Sequence, residues 1–265
     1  MRLCIRHISC SNSGMRLLRH LTFAAVVFVT TLVQCKAQYT DSIHHNIGYA
    51  ATGIINQTND GNSFVLNNNV KFNVNKKNKY LNSSAAWVYG RQNGVQTNND
   101  FTSSLDFDIY KVAPNLSQRL YYWGLVNYDK SFSLKINDRF QGGAGAGYTV
   151  SENKEANIVI SDGILYEYSN LKIDSVTNDK YSTMRNSLRL KYHFVFKGMI
   201  VLDGVHFWQQ SLSAWDDYIL KSTSALSVKL KKWLNITSSL NYNKVSRTHS
   251  KNLLFTIGLS VDYFF

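Results

Sequence analysis

Apolar and polar side chains alternate along most of the chain, and the final segment shows the pattern most clearly. Counting back from Phe265, every second residue through Phe255 is apolar or aromatic, whereas the intervening residues are mostly small or polar. Side chains that alternate with a period of two point to opposite faces of a β-strand. Residues 252–265 are therefore predicted to form a strand with one apolar face and one polar face.

The same pattern recurs upstream as runs of alternating residues that are separated by polar breaks. These segments are longer than the five or six residues usual in soluble sheets, and they suit tilted strands that cross a bilayer. The odd-numbered breaks are longer on average than the even-numbered ones, with residues 112–117 as the exception, as the outer loops and inner turns of such a barrel would be. The predicted strands are residues 43–56, 62–75, 79–92, 98–111, 118–129, 138–150, 155–169, 181–196, 198–210, 217–230, 233–245 and 251–265.

This arrangement predicts an all-β fold, an antiparallel up-and-down transmembrane β-barrel of about twelve strands, with ten or fourteen as alternatives. The ninth segment is the most ambiguous, because Val201, Val205 and Phe207 compete with Ile200, Leu202 and Trp208 for its outer face. Its orientation is left open.

The start of the chain has a different composition. The first 37 residues contain no Asp or Glu, and an apolar run over residues 21–33 follows Arg16 and Arg19. That run has the length of a signal-peptide core and is too short to span a bilayer as a helix. We predict a signal peptide over residues 1–37, with translation from Met15 and cleavage after Ala37.

The cysteines restrict the alternatives further. Lipidation at Cys35 is one alternative, although Gln34 is too large for the residue that precedes a lipidated cysteine. Cleavage after Ala37 would remove all three cysteines of the chain, so the mature protein would have neither a disulfide nor a cysteine nucleophile. The remaining residues, 38–265, are predicted to form one outer-membrane barrel domain.

The charge does not indicate a nucleic-acid partner. Without the five basic residues of the predicted signal peptide, 24 Lys and Arg remain against 17 Asp and Glu, a net charge of +7. These charges are scattered along strands and turns, whereas nucleic-acid binding requires clustered basic residues on a recognisable module.

Charged residues between the apolar positions of the strands are predicted to face a polar lumen. The candidates on the eighth strand are Arg185, Arg189, Lys191 and His193. Asp162, Glu167, Asp203 and His206 are also predicted to face the lumen, with the carboxylates pairing across the barrel. Aromatic residues concentrate near predicted strand ends, which is typical of the girdles at headgroup depth. They include Tyr89, Tyr121, Tyr122, Trp123, Tyr128, Tyr148, Tyr166, Tyr168, Trp208, Tyr218, Trp233 and Tyr263.

A glycine-rich string over residues 139–148 is the most distinctive local feature. A loop of this composition can hold a phosphate where it opens a helix, but another alternating strand follows here. Repeated glycine in a strand marks a sharp bend or the close approach of another group. We expect Gly143, Gly145 and Gly147 to share one face and to leave space for a bulky neighbour such as Tyr166, or for tight curvature.

Two resemblances follow from these motifs. The string that contains Arg139, Gly142, Gly143, Gly145, Gly147 and Tyr148 resembles the core motif of domain-of-unknown-function family 481, the putative salt-induced outer membrane protein group. The final strand resembles the C-terminal assembly signal of outer-membrane barrels, in which Tyr263 and Phe265 would face lipid and engage the barrel-assembly machinery. The family resemblance implies an outer-membrane β-barrel and supplies no catalytic residue.

The residues themselves indicate no chemistry. Adjacent His44 and His45 would point to opposite faces of the first strand, and Asp216 and Asp217 lie in a predicted outer loop. We expect no catalytic, cofactor or metal site. The favoured interpretation is a non-enzymatic outer-membrane barrel of a Gram-negative bacterium, with an envelope or stress-related role or a small-solute pore role. An outer-membrane enzyme acting on lipid and a soluble periplasmic ligand-binding barrel are the alternatives.

Overall fold

One closed sheet accounts for the folded part of the chain. The computed structural model describes residues 44–58, 61–110, 119–153, 155–174 and 177–264. Each strand pairs antiparallel with the next along the chain, and the last pairs with the first, so the sheet has no free edge. The strands are β1 (His44–Thr58), β2 (Gly61–Lys76), β3 (Lys79–Gln92), β4 (Val95–Tyr110), β5 (Leu120–Ser131), β6 (Ile136–Glu152), β7 (Ala156–Lys172), β8 (Asn178–Phe196), β9 (Ile200–Ser211), β10 (Tyr218–Lys229), β11 (Leu234–Val245) and β12 (Ser250–Phe264).

The prediction of twelve antiparallel strands is confirmed, and the alternatives of ten and fourteen are wrong. The predicted signal peptide and Phe265 lie outside the described residues. Within the described ranges, no helix is long and apolar enough to cross a membrane. We call the end that carries the β5–β6, β7–β8, β9–β10 and β11–β12 connections the upper end, and the opposite end, from which β1 starts, the lower end.

The alternation in the sequence separates the two faces of the wall. On β12, Ile257 and Leu259 point outward and are 53% and 52% exposed. Thr256, between Phe255 and Ile257, points inward and is fully buried, and its hydroxyl lies 2.8 Å from that of Thr52 on β1. The seam that closes the barrel is thus apolar outside and hydrogen-bonded inside.

Tight turns connect several strands. The β3–β4 turn consists of Asn93 and Gly94, which both have positive φ, at 49° and 78°. Two successive residues of positive φ form the type I′ turn whose twist matches that of paired strands, and Asn-Gly is the preferred sequence for it.

The glycine-rich string lies on β6, where Gly143, Gly145 and Gly147 point inward. Tyr121 and Trp123 of β5 lie directly opposite Gly147 and Gly145, whereas Gly143 adjoins Ile164 and Leu165 of β7. A Cβ atom on Gly145 would lie 2.6 Å from the Trp123 ring, and one on Gly147 would overlap the Tyr121 ring. Gly145 and Gly147 therefore make room for two aromatic rings inside the lumen.

Two expectations about aromatic residues are consequently wrong. Tyr121 and Trp123 belong to a buried cluster with Val159 and Leu165 rather than to a girdle on the outer wall. Tyr166 does not fill the space beside the glycines, because its position on β7 points outward and it is 48% exposed.

The register of β8 also determines the orientation of β9. Trp208 lies opposite Leu188, which faces outward, so Ile200, Leu202 and Trp208 share the outer face. Val201, Val205 and Phe207 face the lumen.

Candidate functional site

A buried carboxylate organises the upper half of the lumen. Glu167 of β7 has no exposed surface, and its oxygens accept hydrogen bonds from Arg185 Nε at 2.8 Å, Tyr181 Oη at 2.7 Å and Gln141 Nε2 at 2.7 Å. Arg139 Nε lies 3.6 Å away. Arg185 makes a second ion pair, at 2.8 Å, with Asp217 from the β9–β10 loop. This network is packed and dehydrated, so it closes this side of the lumen.

A second network surrounds Arg189 lower in the barrel. Arg189 donates to Ser161 Oγ at 2.9 Å and to Tyr121 Oη at 3.1 Å. Its guanidinium also reaches across to β4, where it lies 3.1 Å from Asp106 and 3.8 Å from Asp108. Together with the aromatic cluster, it fills the lumen along β5 to β8.

One further ion pair crosses the lumen. Lys221 Nζ of β10 donates to Asp129 Oδ2 of β5 at 2.7 Å. Asp129 also accepts from Thr102 Oγ1 at 3.0 Å and from Asn127 Nδ2 at 3.0 Å. This ion pair connects the filled side of the lumen to the opposite side.

The opposite side of the lumen differs in character. Inward residues of β1 to β4 and β10 to β12 are mostly partly exposed, and their side chains are predominantly amides and hydroxyls. Examples are Asn67, Asn69, Asn73, Asn82, Ser84, Ser104, Thr223, Ser227, Ser239 and Asn241. Lys71 on β2 is an exposed cation among them. Inward side chains that remain accessible indicate water-filled space, and this side is therefore wet. Its amides and hydroxyls outnumber its charged residues, which have both signs: Lys71, Lys221, Lys229, Asp100, Asp106, Asp108 and Asp262. We call it the polar wall.

Two turns meet across the upper end. The β5–β6 turn bends inward, and Thr248 Oγ1 of the β11–β12 turn donates to Leu134 O at 3.1 Å. Asn252 Nδ2 donates to Ser133 Oγ at 2.9 Å. Leu134 is buried in a cluster with Ile136, Leu171 and Val245. The contact between these turns closes the upper end above the polar wall.

Asp100 of β4 holds the β5–β6 turn in this position. Its Oδ1 accepts from Ser131 Oγ at 2.8 Å and from Ser133 N at 3.0 Å, and its Oδ2 accepts from Ser133 Oγ at 2.7 Å. Three hydrogen bonds to one carboxylate fix a short segment that would otherwise extend into solvent. Elsewhere at the upper end, a cavity of about 430 Å³ is lined by residues of the β9–β10 and β11–β12 connections and the adjoining strand ends, including Tyr218, Lys244 and Arg247.

The structure distributes the predicted lumen residues between these environments. Arg185 and Arg189 lie in the two buried networks, and Lys191 points inward on the same strand. His193 points inward near the lower end, half exposed, and its Nδ1 lies 2.6 Å from Asp203 Oδ1. These side chains therefore do not converge on one reactive centre.

The residues of the family-like motif and of the final strand are divided between the two faces of the wall. Arg139 is fully buried beside Glu167, whereas Tyr148 is 42% exposed on the outer wall. Gly142 also points outward, unlike the three inward glycines of its strand. Tyr263 points outward and is 39% exposed.

Two expectations about lumen charges are wrong. Asp162 points outward between Ile160 and Ile164, where it accepts a hydrogen bond from Asn186 Nδ2 at 2.9 Å. His206 also points outward, and its Nδ1 lies 2.7 Å from Ser222 Oγ on β10. Both residues lie two positions from outward-facing residues of their own strands, Ile160 and Trp208, so they also face outward.

Several residues that organise the lumen were missed from sequence. Asp100 holds the β5–β6 turn, and Asp129 forms the ion pair across the lumen with Lys221. Gln141 donates a hydrogen bond to Glu167. The available signal was their alternation with outward apolar residues, such as Phe101, Tyr128 and Phe140. Among the described residues, no group of three or more His, Cys, Asp or Glu is arranged to hold a metal ion.

Comparison with known proteins identifies a family. The sequence model of a family described as "Protein of unknown function, DUF481" matches residues 50–263. The chain has no match among curated proteins.

Several solved structures are similar at low identity. The translocator domain of autotransporter NalP from Neisseria meningitidis is 12% identical over 95% of this chain and 97% of that chain, with a TM-score of 0.45. The NanC porin is 8% identical over 83% and 98%, with a TM-score of 0.48. An outer membrane channel from Pseudomonas putida F1 is 11% identical over 88% and 98%, with a TM-score of 0.46. At these identities and scores, the likenesses carry no argument about what this chain does.

Proposed function

The chain belongs to DUF481, a family of proteins of unknown function, and we propose that it acts as a gated passage for small, uncharged polar solutes in the outer membrane of a Gram-negative bacterium. In this proposal the signal peptide over residues 1–37 directs export. The final strand engages the barrel-assembly machinery, and the outward side chains contact outer-membrane lipid.

The polar wall is the observation that carries the proposal. Accessible amides and hydroxyls can exchange hydrogen bonds with water and with neutral polar solutes, whereas a passage for ions of one sign would have a ring of opposite charges. The buried networks along β5 to β8 hold the wall beside them rigid, because hydrogen bonds and ion pairs are strong at low dielectric. Arg139 Nη1 and Nη2 have no hydrogen-bond partner among the described residues, so this guanidinium is held through Nε, which pairs with Glu167. Solutes would therefore pass beside the polar wall.

The upper closure makes the passage gated. Asp100 and the contact between Leu134 and Thr248 keep the two turns together, so the resting barrel would conduct poorly. Opening requires the β5–β6 turn to leave the lumen, and such loop movements occur on timescales of nanoseconds and longer.

The test is to reconstitute purified protein in planar bilayers and in proteoliposomes. We expect brief, infrequent openings for the wild type, and swelling in neutral sugars or amino acids that exceeds swelling in charged solutes of similar size. Asp100→Ala removes the three hydrogen bonds that hold the turn, so it should increase the open fraction.

Asp262→Ala provides the matched control. Asp262 also points into the lumen and accepts a hydrogen bond from Asn235 Nδ2 at 2.9 Å, but it lies near the lower end, away from the closing turns. It should leave gating unchanged. A folded barrel that admits no neutral solute, either as wild type or with Asp100→Ala, would rule out the proposed passage.

The lipid-enzyme alternative rests on the pair of His206 and Ser222. Their separation of 2.7 Å is within the range for a nucleophile and its base. However, His206 lies at the middle of β9, where a bilayer presents acyl chains rather than ester carbonyls. Replacing His193 and His206 and assaying lipid turnover separates the two functions, since loss of a real turnover would favour the enzyme.

A further inference from the structure

The outer wall carries a carboxylate and an imidazole at a depth where apolar residues are expected. Asp162 and His206 point outward at mid-strand, flanked by Ile160, Leu190 and Trp208. The other charged outward residues among those described, such as Lys130 and Lys251, lie near strand ends. Ionisable side chains at membrane depth are costly and usually have a partner or a role.

Each of these side chains retains one unused polar atom. Asp162 uses Oδ1 to accept from Asn186, and His206 uses Nδ1 toward Ser222. Within the described residues, no hydrogen bond is found for Asp162 Oδ2 or for His206 Nε2. When the Ser222 hydroxyl donates to Nδ1, the imidazole carries a proton on Nε2 and becomes a donor that points away from the barrel.

The two residues lie at the same level. Both β7 and β9 ascend from the lower end, and Asp162 and His206 are each six positions after the first residues of their strands, Ala156 and Ile200. One strand, β8, separates them, and His206 pairs through Leu190 with Ile160, two residues before Asp162, which is the stagger that tilted barrel strands show at equal height. Two strand spacings and two residues put them about 12 Å apart. They therefore cannot pair within one barrel.

This arrangement is self-complementary. Consider a two-fold axis that is parallel to the barrel axis and passes in front of β8. Rotation about it brings the β8 strands of two barrels face to face, and β7 of each barrel then lies opposite β9 of the other at equal height. A closed two-fold contact uses the same surface on both copies, and each unlike pair occurs twice. We define the β7–β9 face by its outward residues Ile160, Asp162, Leu188, Leu190, His206 and Trp208.

We propose that a second copy of this chain docks on the β7–β9 face, with Asp162 Oδ2 accepting a hydrogen bond from His206 of the partner subunit. The second copy fits because the face supplies one acceptor and one donor that match each other across the axis. Leu188 and Leu190 lie at the centre and exclude lipid from the contact. The inference rests on the proposed membrane location and is independent of solute passage.

The first experiment measures proximity across the axis. Leu188→Cys is introduced into the full chain with Cys4, Cys10 and Cys35 replaced by serine, and outer membranes are treated with an oxidant. We expect a covalent dimer. Val126→Cys, which lies on the outward face of β5 and is 44% exposed, is the matched control and should give almost none.

The second experiment tests the pairing itself. In the Leu188→Cys background, Asp162→His and His206→Asp each place like groups opposite one another. Each variant alone should lower the dimer yield by about tenfold, which corresponds to roughly 1.4 kcal/mol. Co-expression of both variants restores two His–Asp pairs in the mixed dimer, so the yield should recover.

Heat-modifiable migration on gels and recovery in the outer-membrane fraction report whether each variant is folded and inserted. A folded, inserted barrel that carries Leu188→Cys as its one cysteine and does not cross-link would overturn the proposed dimer. Asp162→His and His206→Asp variants whose mixture shows no recovery would also overturn it. Equal cross-linking at positions 126 and 188 would do the same, because it indicates random collision. A barrel that is never recovered in the outer membrane would contradict the proposed location instead.

Discussion

Glu167 provides the most sensitive test of the lumen network. Its carboxylate accepts five hydrogen bonds, from Arg185 Nε, Arg185 Nη2, Tyr181, Gln141 and Ser169, with no exposed surface. Glu167→Gln preserves the shape but removes the charge, and it replaces one acceptor oxygen by an NH2 group that faces donors. The positive charges of Arg139 and Arg185 would then remain buried without the negative charge of Glu167.

The expected cost follows from this burial. Removing one partner of a buried ion pair destabilises proteins by about 3–5 kcal/mol, because an uncompensated charge remains out of water. Asp203→Asn is the matched control, since it makes the same chemical change at a lumen pair, with His193, that is half exposed. Exposed pairs contribute about 1 kcal/mol or less.

The assay is reversible urea unfolding in phospholipid vesicles, followed by tryptophan fluorescence. Trp123 is 5% exposed beside the Arg189 network and should report loss of lumen packing. Equal losses for the two variants, or a loss below about 1 kcal/mol for Glu167→Gln, would refute the view that a dehydrated ionic network closes this side of the lumen.

Two further variants test the filled side of the lumen in the same assay. Gly147→Ala forces a Cβ into the Tyr121 ring and should cost about 1–3 kcal/mol by overpacking, whereas Gly142→Ala, whose added Cβ would have its nearest neighbours at 3.9 Å, should cost much less. Equal effects would contradict the inward placement of Gly147. Arg189→Met leaves Asp106 and Asp108 without their shared cation and should cost about 3 kcal/mol or more, with partial recovery in Arg189→Lys. If Arg189→Met leaves the free energy of unfolding unchanged, burial of these carboxylates does not depend on Arg189.

The strands were predictable because alternation is a local property. Over β12, apolar residues occupy every second position, and the register with β1 follows from matching the two apolar faces. The same alternation was sufficient to assign Asp162 to the outer face, since Ile160, Ile164 and Tyr166 are separated from it by even numbers of residues. The expectation that a carboxylate must face the lumen overrode that pattern and gave the wrong face.

Other features depend on cross-strand register, which one segment cannot reveal. Residues 121–123 are consecutive aromatics, so their own pattern does not choose between the faces. The choice follows from the glycines opposite Tyr121 and Trp123 on β6. On β9, apolar residues occupy both faces, and only pairing with β8 places His206 outside. The closing turns were not predictable, because Asp100 and Ser133 are 33 residues apart.

We expect one face of each strand to contact lipid and the other to face an aqueous lumen. Leu259 and Ser260 are neighbours on opposite faces of β12, the first 52% exposed outside and the second partly exposed inside. A fluorophore attached to a cysteine at each position in reconstituted protein tests this expectation. Brominated lipid should quench the label at 259, and aqueous iodide should quench the label at 260. Equal quenching of both labels by either agent would contradict this expectation.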